Sequence, residues 1–545
     1  MTAHPVDEYP AGTGVAADPG AASATAGPAS QSASRWSASP WNAARALRTI
    51  AAAAGLIVIV TYVGIAVSRI GFPGHLEILE ENSLAEVHRI LAGQQLYPAP
   101  SASYVPDGYT PLYFALSAAV ASVLGQSYLP LRLVSLVASL ACFAVLGRLV
   151  HRETRSRTAG LAAAGLLAST YFVTDTWFDV GRVDSLFLAF SVAGLYAARW
   201  ACRTRGAIAA GLLLGAAFLT KQTALAEGVA VLAALAIGSR RRLAVPAATA
   251  WAGVVGGSTL ALGLASHGWY IYYVFEQMSQ HALNPGNVSS WFSELLPVLG
   301  IALCAMVLGA RRMPLVLLAG CAALAVESFA ARAQDGSNVN DLLPAYTAVA
   351  ILAGLALGAG PALARFTRWR RDAVQRWLPV AVSGLVLVQI GVLAGGFRLS
   401  HASPPSTDLA ADQRLTATVR ALGGTVAIPD DPGIALMTGQ PLTQDHVAST
   451  DVQRASDGYA KTLFMTSLTH AVHTQQYSAI ITEFRRDLQG YPADLPDYYH
   501  KCPQTPWDGP LSVPFSPGTA PLPVTVWLPI GHGPSCAAVA RTLES

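Results

Sequence analysis

Between two stretches of membrane-type sequence lies GHLEILEENSLAEVHR, residues 74–89, which crowds Glu77, Glu80, Glu81, Glu86, His88 and Arg89 together. Only 12% of the chain is charged, and a carboxylate held against a bilayer is costly unless it faces a cavity or a partner. A carboxylate within hydrogen-bond reach of a hydroxyl can take its proton. Glu77, just behind the Pro73-Gly74-His75 turn, is therefore the first candidate general base, with Glu80 and Glu81 as substitutes. Leu76, Leu79 and Leu84 interleave with the acids, so the competing reading makes Glu80, Glu81 and Glu86 the wet face of an interfacial helix.

Cations recur at corresponding places downstream. The stretch TDTWFDVGRVDS carries Asp175, Asp179, Arg182 and Asp184, and Lys221 interrupts an apolar run at 206–238. His267, Glu276, Gln277 and His281 follow residue 265, and Asp335, Asn338, Asn340 and Asp341 cluster near 335. Carboxylates beside Arg and Lys suit one kind of chemistry, in which a proton is removed from an acceptor hydroxyl while a phosphate leaving group is neutralised by guanidinium or ammonium. On that reading Arg182 and Lys221 hold phosphate, and Asp184, His281 and Asn340 contact substrate. Each has a plainer alternative. Asp184 could serve a helix N-terminus, Lys221 could snorkel to the surface, and His281 could be an ordinary structural histidine.

The elements that must position these groups are membrane helices. A chain of 545 residues that is 52% hydrophobic is too apolar for a soluble enzyme, whose charged fraction is about a quarter. Runs able to cross a hydrocarbon core of about 30 Å lie near 48–70, 128–149, 158–175, 184–200, 243–265, 291–309, 314–331, 342–360 and 378–397. A lysine at mid-bilayer costs about 2.5–3.5 kcal/mol, so 206–238 is expected as a hairpin with Lys221 at its turn. The short segment 109–126 is expected to be interfacial or re-entrant, which gives about eleven crossings. Arginine clusters at 148–157, 203–205, 240–242, 311–312 and 365–376 place those loops in the cytoplasm. The N-terminus is then inside the cytoplasmic membrane, and the candidate site and C-terminus outside.

Residues 1–44, rich in Ala, Ser, Pro and Gly, are expected to be a disordered cytoplasmic tail. Residues 45–400 form the membrane domain, and 401–545, with strand-like TVAIP and SAIITEF, a small extracytoplasmic α/β domain. In an oxidising compartment Cys502 and Cys536 could pair. No Cys/His metal spacing occurs, and a net charge of +3 without a basic aromatic stripe sets nucleic acid aside.

The order AGQQLYP, YTPLYFALSAAVASVLG, FDVGRVDSLFLAF, AAFLTKQTALA and DGSNVNDLLPAYTAVAILAGL resembles the integral-membrane glycosyltransferases of the GT-C fold class. The nearest likeness, over roughly residues 48–400, is to bacterial members of the protein-mannosyltransferase and aminoarabinose-transferase superfamily. The resemblance implies a polyprenyl-phosphate sugar donor and a saccharide, lipid or protein acceptor, with an acid of the first outer loop as base. By position that acid is Glu77, Arg182 and Asp184 match an Arg-x-Asp pair, and Lys221 and Asn340 match the later motifs. The chain lacks the adjacent Asp-Glu pair that opens this loop in the family, which leaves the base open among Glu77, Glu80 and Glu81. The fold class includes members with and without a divalent metal, so metal dependence is also open. Two other classes compete: a flippase for a lipid-linked saccharide, and a non-catalytic cell-envelope assembly subunit.

Overall fold

Long apolar runs are read directly into helices, because a bilayer forces every backbone N–H and C=O to be satisfied within the segment. The computed structural model describes residues 39–309, 313–359, 372–397, 404, 406–455, 458–483, 490–503 and 524–544. Most of the expected tail, residues 1–38, lies outside them, and Pro40–Ala44 already belongs to the first helix.

That helix, α1 (Pro40–Arg69), has 30 residues, about 45 Å of rise. There follow α2 (Glu80–Leu91), α3 (Leu112–Leu124), α4 (Tyr128–Thr154), α5 (Arg157–Ala168), α6 (Asp184–Trp200), α7 (Thr204–Thr220), α8 (Leu225–Ile237) and α9 (Ala244–Ala265). A short α10 (Trp269–Ile271) runs on as a π-helical turn, Tyr272–Gln277. The membrane part closes with α11 (Pro285–Gly309), α12 (Leu315–Arg332), α13 (Leu343–Gly358) and α14 (Asp372–Gly395). Seven described helices are long and apolar enough to span a membrane. The chain is a multi-pass helical membrane protein.

One expectation shifts. The run at 158–175 yields only the 12-residue α5, about 18 Å long, before the chain breaks into the irregular Ser169–Val183 stretch. Helix α3 is likewise short, with 13 residues. The break at Lys221 is where expected: its extended backbone (φ −147°, ψ 122°) separates α7 from α8. Small residues let helices touch at backbone distance; a Cβ on Gly165 of α5 would stand 2.1 Å from the Gly55 Cα of α1.

After α15 (Ser406–Leu422) come four strands, β1 (Val426–Ala427), β2 (Ala479–Glu483), β3 (Tyr499–Lys501) and β4 (Val524–Pro529). They form one sheet in the order β1-β2-β4-β3, with β1 parallel to β2 and the other pairs antiparallel. Between them lie α16 (Pro432–Met437), α17 (His446–Arg454) and α18 (Gly458–His473), and α19 (Cys536–Glu544) follows. Strand alternation divides the sheet's side chains between two cores. Ala479, Ile481, Val526 and Leu528 pack with Leu415 and Val539. Ile480 and Trp527 face the opposite way, joining Phe464 and Leu468 to Tyr97, Val105, Tyr270 and Tyr273 of the membrane part. The second core is what seats the C-terminal region on the loops that carry the candidate site. Cys502 and Cys536 are disulfide-bonded, with Cα atoms 5.5 Å apart.

Candidate active site

The acids of the first loop are not a solvated face. Glu80, Glu81 and Glu86 are all fully buried, and Glu77 is 6% exposed; the interfacial-helix reading fails because α2 is covered by α3, α4, the second loop and α16. Their environments differ sharply. Glu80 accepts from Arg132 through two bonds, Nε at 3.0 Å and Nη2 at 2.7 Å, and also from the Leu76 and Gly181 backbone amides. Burial alone would raise its pKa, but Arg132 and these four bonds hold it below the usual carboxylate range. Every lone pair is used, which makes Glu80 a brace. Glu81 turns away from Arg182 and Lys221 to His75 and Asp431.

A second brace closes the neighbouring loop. Arg69, in the last turn of α1, grips Asp179 at 2.8 and 2.6 Å and also reaches Thr176, while Tyr171 donates to the same carboxylate. Asp175 and Thr176 carry positive φ, 47° and 63°, the left-handed conformation that non-glycine residues adopt at a cost. These braces fix the chain on either side of Arg182.

Arg182 itself is held but not saturated. Its guanidinium lies over the rings of Trp177 (4.9 Å) and Tyr109 (5.3 Å), and Nη2 donates to the Tyr109 hydroxyl at 2.9 Å. Nε and Nη1 have no hydrogen-bond partner among the described residues; Asp184 and Glu77 stand 3.8 Å from them. Lys221 contacts Asp184 at 3.0 Å and Asp341 at 3.5 Å, and Asn340 donates to the same Asp184 oxygen at 3.3 Å. Asp184 is thus the hub that ties the second loop to Lys221 and to the segment before α13. Burial pushes Glu77 up to about 7, despite the opposing pull of Arg182.

Asp107 is the residue that the sequence did not single out. It sits in Val-Pro-Asp-Gly-Tyr, which reads as a turn. In the fold its Oδ1 accepts from Asn82 at 2.8 Å, its amide donates to Glu86 at 3.0 Å, and Oδ2 has no partner among the described residues. Burial raises its pKa, with the charge of Arg182 working against that rise.

These groups border a cavity of about 970 Å³. Asp107, Tyr109, Lys221, Gln222, Glu327 and Asp341 form a polar wall, and Leu225, Val229, Val326 and Ala330 an apolar one. Leu225, Val229 and Val326 are all exposed, so the apolar part of the lining is open and not sealed by neighbouring helices. His446, Thr450, Asp451 and Arg454 of α17 close the far side. Among the expected site residues, Lys221 and His281 line the cavity, the latter 3.6 Å from Asp451. Glu77, Arg182, Asp184 and Asn340 stand behind that wall, linked through Tyr109 and Lys221. Among the described residues, ligand atoms come to metal-binding spacing at His75, Glu81 and Asp431, and at His500 with the disulfide-bonded Cys502 and Cys536, but not among Asp107, Asp184 and Asp341.

The sequence profile of the dolichyl-phosphate-mannose-protein mannosyltransferase family matches residues 108–270, the stretch that carries Tyr109, Arg182, Asp184 and Lys221. No curated protein matches the chain. Among solved structures, the chain is similar to ArnT from Cupriavidus metallidurans bound to undecaprenyl phosphate, with 13% identity and a TM-score of 0.57 over 88% of this chain and 99% of that one. The apo state of the same protein aligns at 13% identity and a TM-score of 0.52, covering 79% and 93%. The fold is that of the GT-C integral-membrane glycosyltransferases.

Proposed function

We propose that this protein is a membrane glycosyltransferase that moves a sugar from a polyprenyl-phosphate donor to an acceptor hydroxyl. The observation that carries the reading is the cavity, whose lining brings the Asp107 carboxylate and the Lys221 ammonium together with the apolar Leu225, Val229 and Val326. A lipid tail fits the apolar side, and a phosphate at the polar end meets Lys221, with the charge of Arg182 behind it. A structural relative bound to undecaprenyl phosphate is in keeping with that placement.

In the proposed reaction, the acceptor O–H gives its proton to a carboxylate of the first loop. The acceptor oxygen forms a bond to the anomeric carbon as the bond from that carbon to the phosphate oxygen breaks, and inversion results. Polyprenyl phosphate leaves with the electron pair, its charge met by Lys221 and Arg182. Geometry takes precedence over pKa in choosing the base, and it favours Asp107, which is on the cavity wall. Glu77, with its near-neutral pKa and its place beside Arg182, is the alternative base or a group that orients Arg182. Glu80 and Glu81 serve structure, and Asp184, Asn340 and His281 order the substrate side.

The arginine clusters orient this site to the outer face of the cytoplasmic membrane, with the N-terminus inside. Residues 45–400 would carry the transfer, and 401–545 would cover the cavity. The test is transfer of radiolabelled sugar from polyprenyl-phosphate donors in proteoliposomes. The wild type should transfer, and an Asp107→Asn, Glu77→Gln double variant should not. Full transfer by that double variant would overturn the reading, as would donor crossing the bilayer with no transfer, the signature of a flippase.

A further inference from the structure

His75, Glu81 and Asp431 come from opposite ends of the chain and meet where the first loop touches α16. The His75 imidazole is 12% exposed at its side chain, with Nδ1 against Glu81 Oε1 and 3.3 Å from Asp431 Oδ2. Asp431 spends its other oxygen capping α16, accepting from Ile434 N at 3.2 Å, which aims Oδ2 at the histidine. Glu81 is fully buried, and apart from the His75 ring neither of its oxygens has a hydrogen-bond donor among the described residues. A buried carboxylate in that state loses its solvation without compensation.

The local charge is unbalanced. Asp412, 8% exposed, lies against Gly74, so three carboxylates surround one imidazole. The nearby Arg132 is committed to Glu80 and to the carbonyls of Phe72 and Gly74. The buried Tyr128 hydroxyl, also without a partner among the described residues, points at Gly433, beside Asp431.

We propose that His75, Glu81 and Asp431 form a binding site for a first-row divalent metal, zinc or manganese, that pins the C-terminal region to the first loop. The donor atoms of the three residues lie within 4.8 Å of one another. Tetrahedral bonds of about 2.0–2.1 Å place neighbouring ligand atoms about 3.3 Å apart, the His75–Asp431 separation found here, while Glu81 touches the imidazole directly and would draw back to admit the ion. One imidazole with carboxylates suits such ions, whereas magnesium and calcium favour all-oxygen sets. The ion would supply the missing positive charge and displace the proton that His75 shares with Glu81. Its role is structural: α16 leads through residues 438–445 to α17, whose His446, Asp451 and Arg454 close the cavity. The site stands independently of the reading of that cavity.

The test uses the full-length protein in detergent, stripped with EDTA, reloaded with zinc or manganese, and passed over a desalting column. We expect about one ion per chain by mass spectrometry of the metal and a higher thermal midpoint on loading. His75→Gln and Glu81→Gln should each lower the retained metal at least tenfold. A cobalt-loaded wild type should show ligand-field bands with no thiolate charge-transfer band, a readout that needs no variant. A wild type that retains neither ion and shows no thermal shift overturns the proposal. So does undiminished metal in folded His75→Gln protein, or a thiolate band. Sugar transfer is a separate measurement, so failure there leaves the metal count intact.

Discussion

Glu80 with Arg132, and Asp107 with Arg182 and Lys221, are the same kinds of residue buried a few side chains apart, yet they are built to opposite ends. Around Glu80 every acceptor position is filled and every nearby donor is spoken for. Around Asp107 and Arg182 one carboxylate oxygen and two guanidinium nitrogens are left without hydrogen bonds among the described residues. A saturated buried pair resists change and holds loops in place. An unsaturated one leaves donors and acceptors for another partner. Burial and residue type are alike in the two places, so the difference between them lies in the bonds left unmade.

Four measurements would sharpen or break that contrast. The largest effect is expected at the open cluster: Asp107→Asn should lower transfer by about 10²–10⁴-fold, the usual weight of a general base, with a thermal midpoint close to wild type. A loss of folding in place of a loss of rate would move Asp107 to the brace side. Next, Arg132→Met should destabilise the protein by about 3–5 kcal/mol, because it strands a buried carboxylate. Adding Glu80→Gln should recover part of that loss in detergent melts, and strictly additive losses would show that the two residues do not act as a pair. Third, reducing the Cys502–Cys536 bond, or changing both cysteines to serine, should cost about 2–4 kcal/mol in the C-terminal region alone. Proteolysis mapped there, with transfer retained, is the expected pattern.

The fourth and smallest effect is in pH. Glu80 is depressed in the folded state, so its contribution is present above its unfolded pKa of about 4.3 and fades as pH falls through the lower folded value. Glu77 is raised to about 7, so its protonated form favours folding below about 4.3 and that favour is lost as pH climbs through 7. Glu77→Gln should therefore gain thermal midpoint on wild type between about pH 5 and pH 8. Glu80→Gln should be least costly at the acid end. Parallel shifts in the two variants would mean that their environments are alike.

The helices are legible in the sequence because a bilayer leaves few alternatives: Asp184–Trp200 and Ala244–Ala265 follow their apolar runs almost residue for residue. Lys221 is legible as a break for the same reason, since mid-bilayer burial would be too costly. Helix α5 is shorter than its apolar run because that run continues through Val173, while the chain turns at Ser169 to bring Asp179 to Arg69. The first loop is the least legible part. Glu77, Glu80 and Glu81 are near neighbours in sequence, and nothing local says that the second finds Arg132 and the third Asp431. Asp107 is hidden by a Pro-Asp-Gly that fits an ordinary turn.

The sequence by itself determined a multi-pass helical protein, the resemblance of its motif order to GT-C transferases, and the small set of ionisable residues from which a site must be drawn. Those follow from composition and spacing along the chain, which the cost of burying polar groups in lipid converts into structure with little freedom. Only the tertiary structure decided which acid is braced, which retains a free oxygen, and which joins His75 to a residue from the far end of the chain. The reason is that the number of hydrogen bonds a buried charge makes depends on partners from other segments, and that number sets whether it stabilises the fold or remains available for chemistry.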